Sequence, residues 1–186
     1  MRTIAIAALL ALPPAVAWGQ AFDFTPAQFQ ERFNRQLKAD EGDLLRACRP
    51  EKAAIACTFE DAKFQRSVQA FKELNLVNGR FELKSRVLIE QAGGKVATIA
   101  ITGDRSSPMG LFHFAGQMGS LMRSFDPALT SQQAAAKVSE LGVMRGDADR
   151  TIGTPKLAIE NYAAIECTSW PSSRSTSVGC VFRPRY

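Results

Sequence analysis

Four cysteines, Cys48, Cys57, Cys167 and Cys180, follow an N-terminal run with one base and no acid, MRTIAIAALLALPPAVAWGQAF. Arg2 gives a positive start and residues 3–17 an apolar stretch. Ala17-Trp18-Gly19 or Gly19-Gln20-Ala21 then offers the small residues at which a secretory leader is cut. The stretch is short for a membrane span and is broken by Pro13-Pro14. Residues 1–21 are therefore expected to be a cleaved signal peptide, and residues 22–186 a single domain that works in the periplasm or is secreted. An oxidising destination turns an even cysteine count into a disulfide framework. Of the three possible pairings, Cys48 with Cys57 and Cys167 with Cys180 is expected, because each pair brackets a turn-like segment, RPEKAAIA or TSWPSSRSTSVG. Closing rings of this size contributes about 2.5–3 kcal/mol each in the chain-entropy description. Zinc is the competing use of four cysteines, but there is no CxxC spacing and His113 is the only imidazole. No metal and no cofactor is expected.

Losing the leader removes one of 23 basic residues and none of 18 acidic ones, which leaves a net charge of +4. With no basic run, this mild excess does not point to nucleic acid. Hydrophobic residues make up 46% of the chain and charged ones 22%, proportions of a globular protein.

The spacing of apolar residues orders the elements. In FDFTPAQFQERFNRQLKAD, Thr25 and Gln28 spell a capping box and Pro26 suits the first helical turn. Phe29, Phe33 and Leu37 then recur every fourth residue, so one narrow helical stripe is buried. LLRACR and AIACTFE read as short runs around the first disulfide. FQRSVQAFKEL fits either a helix or an edge strand. In RFELKSRVLIEQAGGKVATIAIT, Phe81, Leu83, Val87 and Ile89 alternate with charged residues and Gly93-Gly94 supplies a turn. That predicts a β-hairpin beginning at Phe81. Ser107-Pro108 opens a second helix that Asp126-Pro127 ends, and Thr130 with Gln133 opens a third, closed by Gly142. The remainder reads as short strands and a second stapled hairpin. Helix, strands, helices, strands is not the regular alternation of a parallel nucleotide-binding sheet. The expected fold is α+β, an antiparallel sheet covered on one face by helices. The recurring order also suggests a duplicated helix-plus-strands half.

GLFHFAGQMGSLM holds His113 in an uncharged run. On a helical wheel, Leu111, Phe114, Met118, Leu121, Met122 and Phe125 share one arc, with His113, Gln117, Ser120 and Ser124 on the far side. That makes the helix amphipathic and excludes a membrane span, which needs apolar residues all round. Histidine suits proton transfer near neutral pH, but no GxSxG elbow, SxxK pair or spare cysteine accompanies it. Catalytic residues are therefore not assigned. His113 and Gln117, near the thin positions Gly116 and Gly119, are the first candidate contact surface. Asp104 and Arg105, just ahead of a helix start, could greet an anion. Asp147 lies in MRGDADRTIG, where Arg145-Gly146-Asp147 also spells an adhesion tripeptide. Trp170 beside Arg174 is the remaining candidate, being of the type that anchors interfaces.

The functional expectation is an exported soluble binding or accessory protein of the cell envelope, its partner a protein or an envelope component. The alternatives are an exported hydrolase using carboxylates such as Asp104, Asp147, Asp149 or Glu160, and a surface adhesion domain.

Overall fold

The computed structural model describes residues 21–78, 81–105, 107–144, 156–172 and 175–185, with the side chains of residues 156, 169–172 and 175–176 left out. Residues 1–20 of the expected leader lie outside the described residues, as do Arg145, Asp147, Asp149 and Arg174. Helix α1 (Pro26–Ala39) starts with the box its sequence spells: Thr25 Oγ1 accepts from the Gln28 amide at 3.3 Å, and the Thr25 amide donates to Gln28 Oε1 at 2.8 Å. Phe29, Phe33 and Leu37 are buried along its inner face. Upstream, Phe22 and Phe24 bond through their backbones to Val96, stack on each other and meet the Phe125 ring at a tilt.

The strands are β1 (Leu45–Glu51), β2 (Ala54–Phe59), β3 (Arg86–Ala92), β4 (Lys95–Asp104), β5 (Lys156–Ile159), β6 (Ala163–Ser172) and β7 (Ser175–Pro184). Among the described residues they form one antiparallel sheet in the order β1-β2-β3-β4-β7-β6-β5. Register puts the buried side chains on a single face. Cys57 lies opposite Val87, Val87 opposite Ile101, Ile101 opposite Cys180, and Cys180 opposite Cys167. Ile89, Ile99, Phe182 and Ile165 form the next row. Arg86, Glu90 and Arg183 alternate with them and are exposed. The buried rows share one core with Phe33 and Leu37 of α1, Phe114, Met118 and Leu121 of helix α3 (Pro108–Phe125), and Val138 of helix α4 (Ser131–Glu140). The fold is therefore α+β on an antiparallel sheet. Both disulfides pair as the spacing suggests, Cys48–Cys57 across the β1–β2 hairpin and Cys167–Cys180 across β6–β7.

The sheet consists of two meanders, β1 to β4 and β5 to β7, that meet where β4 pairs with β7. The halves differ in where helices enter. Helix α2 (Ala62–Glu73) interrupts the first meander, whereas α3 and α4 both precede the second. FQRSVQAFKEL is thus helical, with Phe64 and Val68 buried.

The alternation at Phe81 and Leu83 does not make a strand. β3 begins at Arg86; in register the last residues of its neighbours, Phe59 of β2 and Asp104 of β4, fall level with Ser85 and Lys84, so neither neighbour reaches Leu83 or Phe81. Phe81 and Leu83 instead pack on a small cluster of Phe64, Val68 and Met109. Gly103 and Asp104, beyond the stretch expected as a hairpin, are the last two residues of β4 and pair with Val178 and Ser177. Gly103 is where α3 rests on the sheet: a Cβ there would lie 2.4 Å from Phe114 Cδ2.

Candidate functional site

α3 starts at Ser107, whose Oγ accepts from the Gly110 amide at 3.0 Å, with Pro108 in the first turn. Its apolar stripe meets the sheet as the wheel requires. The opposite side differs from the expectation of a solvent-facing surface: Gln117, Ser120 and Ser124 are only 4–5% exposed. The end of α1 and the start of α4 cover that side through a polar knot. Asp40, just past α1, accepts from Ser120 Oγ at 2.6 Å and Gln36 Nε2 at 3.0 Å and is ion-paired with Arg123. Arg123 also donates to the Leu129 carbonyl at 3.1 Å and to Ser131 Oγ at 2.9 Å. The pairing holds three helices in register.

Between these elements runs a groove of about 890 Å³, within the usual range for a small-ligand site. α3 forms its floor, the α1 end and α4 its sides, and α2 closes one end with Ser67 and Phe71. Two features of the floor stand out. Gly116 sits inside the 18-residue helix, where glycine costs about 0.5–1 kcal/mol relative to alanine. A Cβ at Gly119 would touch Ala134 at 3.7 Å, but one at Gly116 would meet nothing within 4 Å. Packing requires glycine at neither position, since 3.7 Å is an ordinary contact, but only Gly116 faces open space. Beside it, Gln117 lines the groove, and neither its Nε2 nor its Oε1 has a hydrogen-bond partner among the described residues. Buried polar groups are nearly always paired, so an amide left with both valences open is unusual.

His113 lies one turn earlier on the same side. Its ring meets Phe64 of α2 edge-on, with centroids 4.7 Å apart. Burial holds its pKa below the ordinary 6.5, and the Asp43 carboxylate pulls weakly the other way. The imidazole is therefore neutral at pH 7. It hydrogen-bonds to no hydroxyl or thiol among the described residues, so no nucleophile is primed by it. Asp43, only 3% exposed, caps α2 from across the chain: its two oxygens accept from the amides of Lys63 at 2.7 Å and Phe64 at 2.8 Å. The adjacent Asp61 makes no side-chain cap there. Asp43 thus aligns the helix that carries the histidine's ring partner.

Of the residues singled out from sequence, His113 and Gln117 come together in this groove. Asp104 and Arg105 are not among its described lining. Asp104 pairs with Lys84 at 3.3 Å, and the α3 N-terminus beside them is already capped by Ser107. Glu160 pairs with Lys137 at 2.6 Å and ties α4 to the end of β5. Trp170 belongs to β6, but its side chain is not among those described. Asp43, Phe71 and Phe112 are groove residues that the sequence did not point to. Phe112 lies off the apolar stripe, and Asp43 acts on amides 20 and 21 residues away.

Among the described residues no group of three or more His, Cys, Asp or Glu side chains could hold a metal ion, and no helix is long and apolar enough to cross a membrane. No family model, curated protein or solved structure matches the chain.

Proposed function

We propose that this is an exported binding or accessory protein of the cell envelope, and that it holds a ligand in the α3 groove without transforming it. The unpartnered Gln117 amide beside the bare backbone of Gly116 carries this reading. The amide is covered at the groove floor, and because it has no partner to lose it can rotate to meet a group that enters from outside. Two local disulfides and the acid-free leader sequence support export. The neutral, unharnessed His113 and the ion-paired Asp104 and Glu160 favour binding over hydrolysis.

Two measurements test this. Fractionation of cells expressing the tagged full chain should give a shortened, oxidised form in the envelope or medium; a full-length, reduced, cytoplasmic product overturns export. Thermal melts of the purified protein with fractionated envelope extract should show stabilisation that Gly116→Leu, which fills the groove, abolishes. Equal stabilisation of both proteins overturns the groove.

A further inference from the structure

We infer that the ligand is a short extended peptide segment, with Gln117 bonding the backbone of one of its residues; this rests on the groove being the binding site. A carboxamide carries one donor group and one acceptor. In an extended chain, the N–H and C=O of a single residue point the same way, as in the paired positions of an antiparallel ladder. Gln117 Oε1 and Nε2 answer that pair, and a fatty acyl chain or an apolar ring offers neither group. Both amide atoms are covered, so the flexible side chain turns outward to reach a ligand, and it breaks no hydrogen bond in doing so because it has none.

The groove has the length for a main chain. Gly116 leaves the helix surface bare one residue before Gln117. From Phe112 to Arg123 the α3 floor spans about 16 Å at 1.5 Å per residue, which is about five residues of extended chain. At the α2 end, Phe112 is 63% and Phe71 39% exposed, and Met109 lies with them in the lining. These side chains would seat an apolar residue of the segment. At the other end Arg123 and Ser131 are polar. The neutral His113 next to the aromatic pair adds no charge, and of the lining carboxylates Asp40 is ion-paired with Arg123 and Asp43 caps α2, so at the α2 end specificity falls on shape and on the main-chain amide.

The test uses fluorescently labelled, acetyl- and amide-capped pentapeptides with phenylalanine or leucine at the first two positions, alongside the same peptides N-methylated at the central residue. The disulfide-bonded protein should bind the parent set, and N-methylation should weaken binding at least tenfold by removing the donor that Gln117 Oε1 accepts from. In Gln117→Met the parent set should bind at least tenfold more weakly and N-methylation should change affinity less than twofold. Gly116→Leu, checked as folded by its melting curve, should bind neither set. Palmitate and the apolar dye anilinonaphthalene sulfonate serve as controls. If either binds the wild type but not Gly116→Leu while no peptide binds, the groove stands and the peptide assignment is overturned. If nothing binds the wild type, the binding function itself falls. Equal binding of parent and N-methylated peptides refutes the role of Gln117.

Discussion

Replacing Gln117 by methionine should stabilise this protein, the opposite of what most core substitutions do. The side chain is 4% exposed, and both its amide atoms lack partners. A buried polar group without a partner costs about 1–3 kcal/mol. Methionine has nearly the same length and volume, and such volume-conserving changes cost less than about 1.5 kcal/mol in packing. At mid-range values, about 2 against about 0.75 kcal/mol, the net gain is about 1 kcal/mol, which for a domain of this size raises the melting temperature by about 2–4 °C. Calorimetry, with urea unfolding to confirm an unchanged m-value, measures it. Gln117→Ala is the control: it removes the same amide but leaves a cavity, and its melting temperature should fall below that of the methionine variant. If Gln117→Met were destabilised by more than about 1 kcal/mol, the amide would be one of the ordinary paired kind. Its value as a ligand contact would then be gone. Gaining stability while losing binding is the signature of a group kept for function.

Three further outcomes follow from the same geometry. Asp43→Asn keeps one acceptor for the Lys63 and Phe64 amides but loses the charge at the α2 start, and should cost about 1.5–3 kcal/mol by urea unfolding; a change under 0.5 kcal/mol would show the cap to be idle. Gly103→Ala drives a methyl into the Phe114 ring and should cost about 1–3 kcal/mol, with Phe114→Leu in the same chain recovering part of the loss. His113 is held neutral by burial, so the unfolded chain binds its proton at a higher pH than the folded one. Stability is therefore full above about pH 6.5 and declines as pH falls through the lower folded pKa. The single imidazole C2 proton, followed by NMR, should titrate below 6.5. His113→Gln should remove that part of the acid slope, and an unaltered slope would exclude this source.

What the sequence made legible was local. The Thr25–Gln28 box, the Phe29, Phe33 and Leu37 stripe and both disulfides depend on residues within about one turn or one hairpin of each other. The wheel also placed Phe114 and Met118 on the sheet side of α3. The strand that failed, at Phe81, had the right alternation, but an apolar period of two says nothing of whether a neighbouring strand is still present to pair with it. The far side of α3 read as surface because its cover comes from Asp40, 80 residues from Ser120, and from a helix whose own stripe is only Ala134 and Val138. The candidate pair His113 and Gln117 was visible as a polar face, but the groove that gives it meaning was not. Its walls are made by three chain segments that no local pattern connects.

The pairing of the cysteines bears on how the chain matures. Each bond closes a small ring, with sequence separations of 9 and 13, inside a single hairpin. On the proposed export route, a chain threading across a membrane from its N-terminus presents Cys48 and Cys57 together, while Cys167 is still 110 residues behind. The first ring can thus close before a wrong thiol arrives, and the second then has only its proper partner left. An oxidant is enough for such a chain, and reshuffling by an isomerase is not required. Neither bond crosses the β4–β7 junction, so the two meanders are joined there by hydrogen bonds and packing alone.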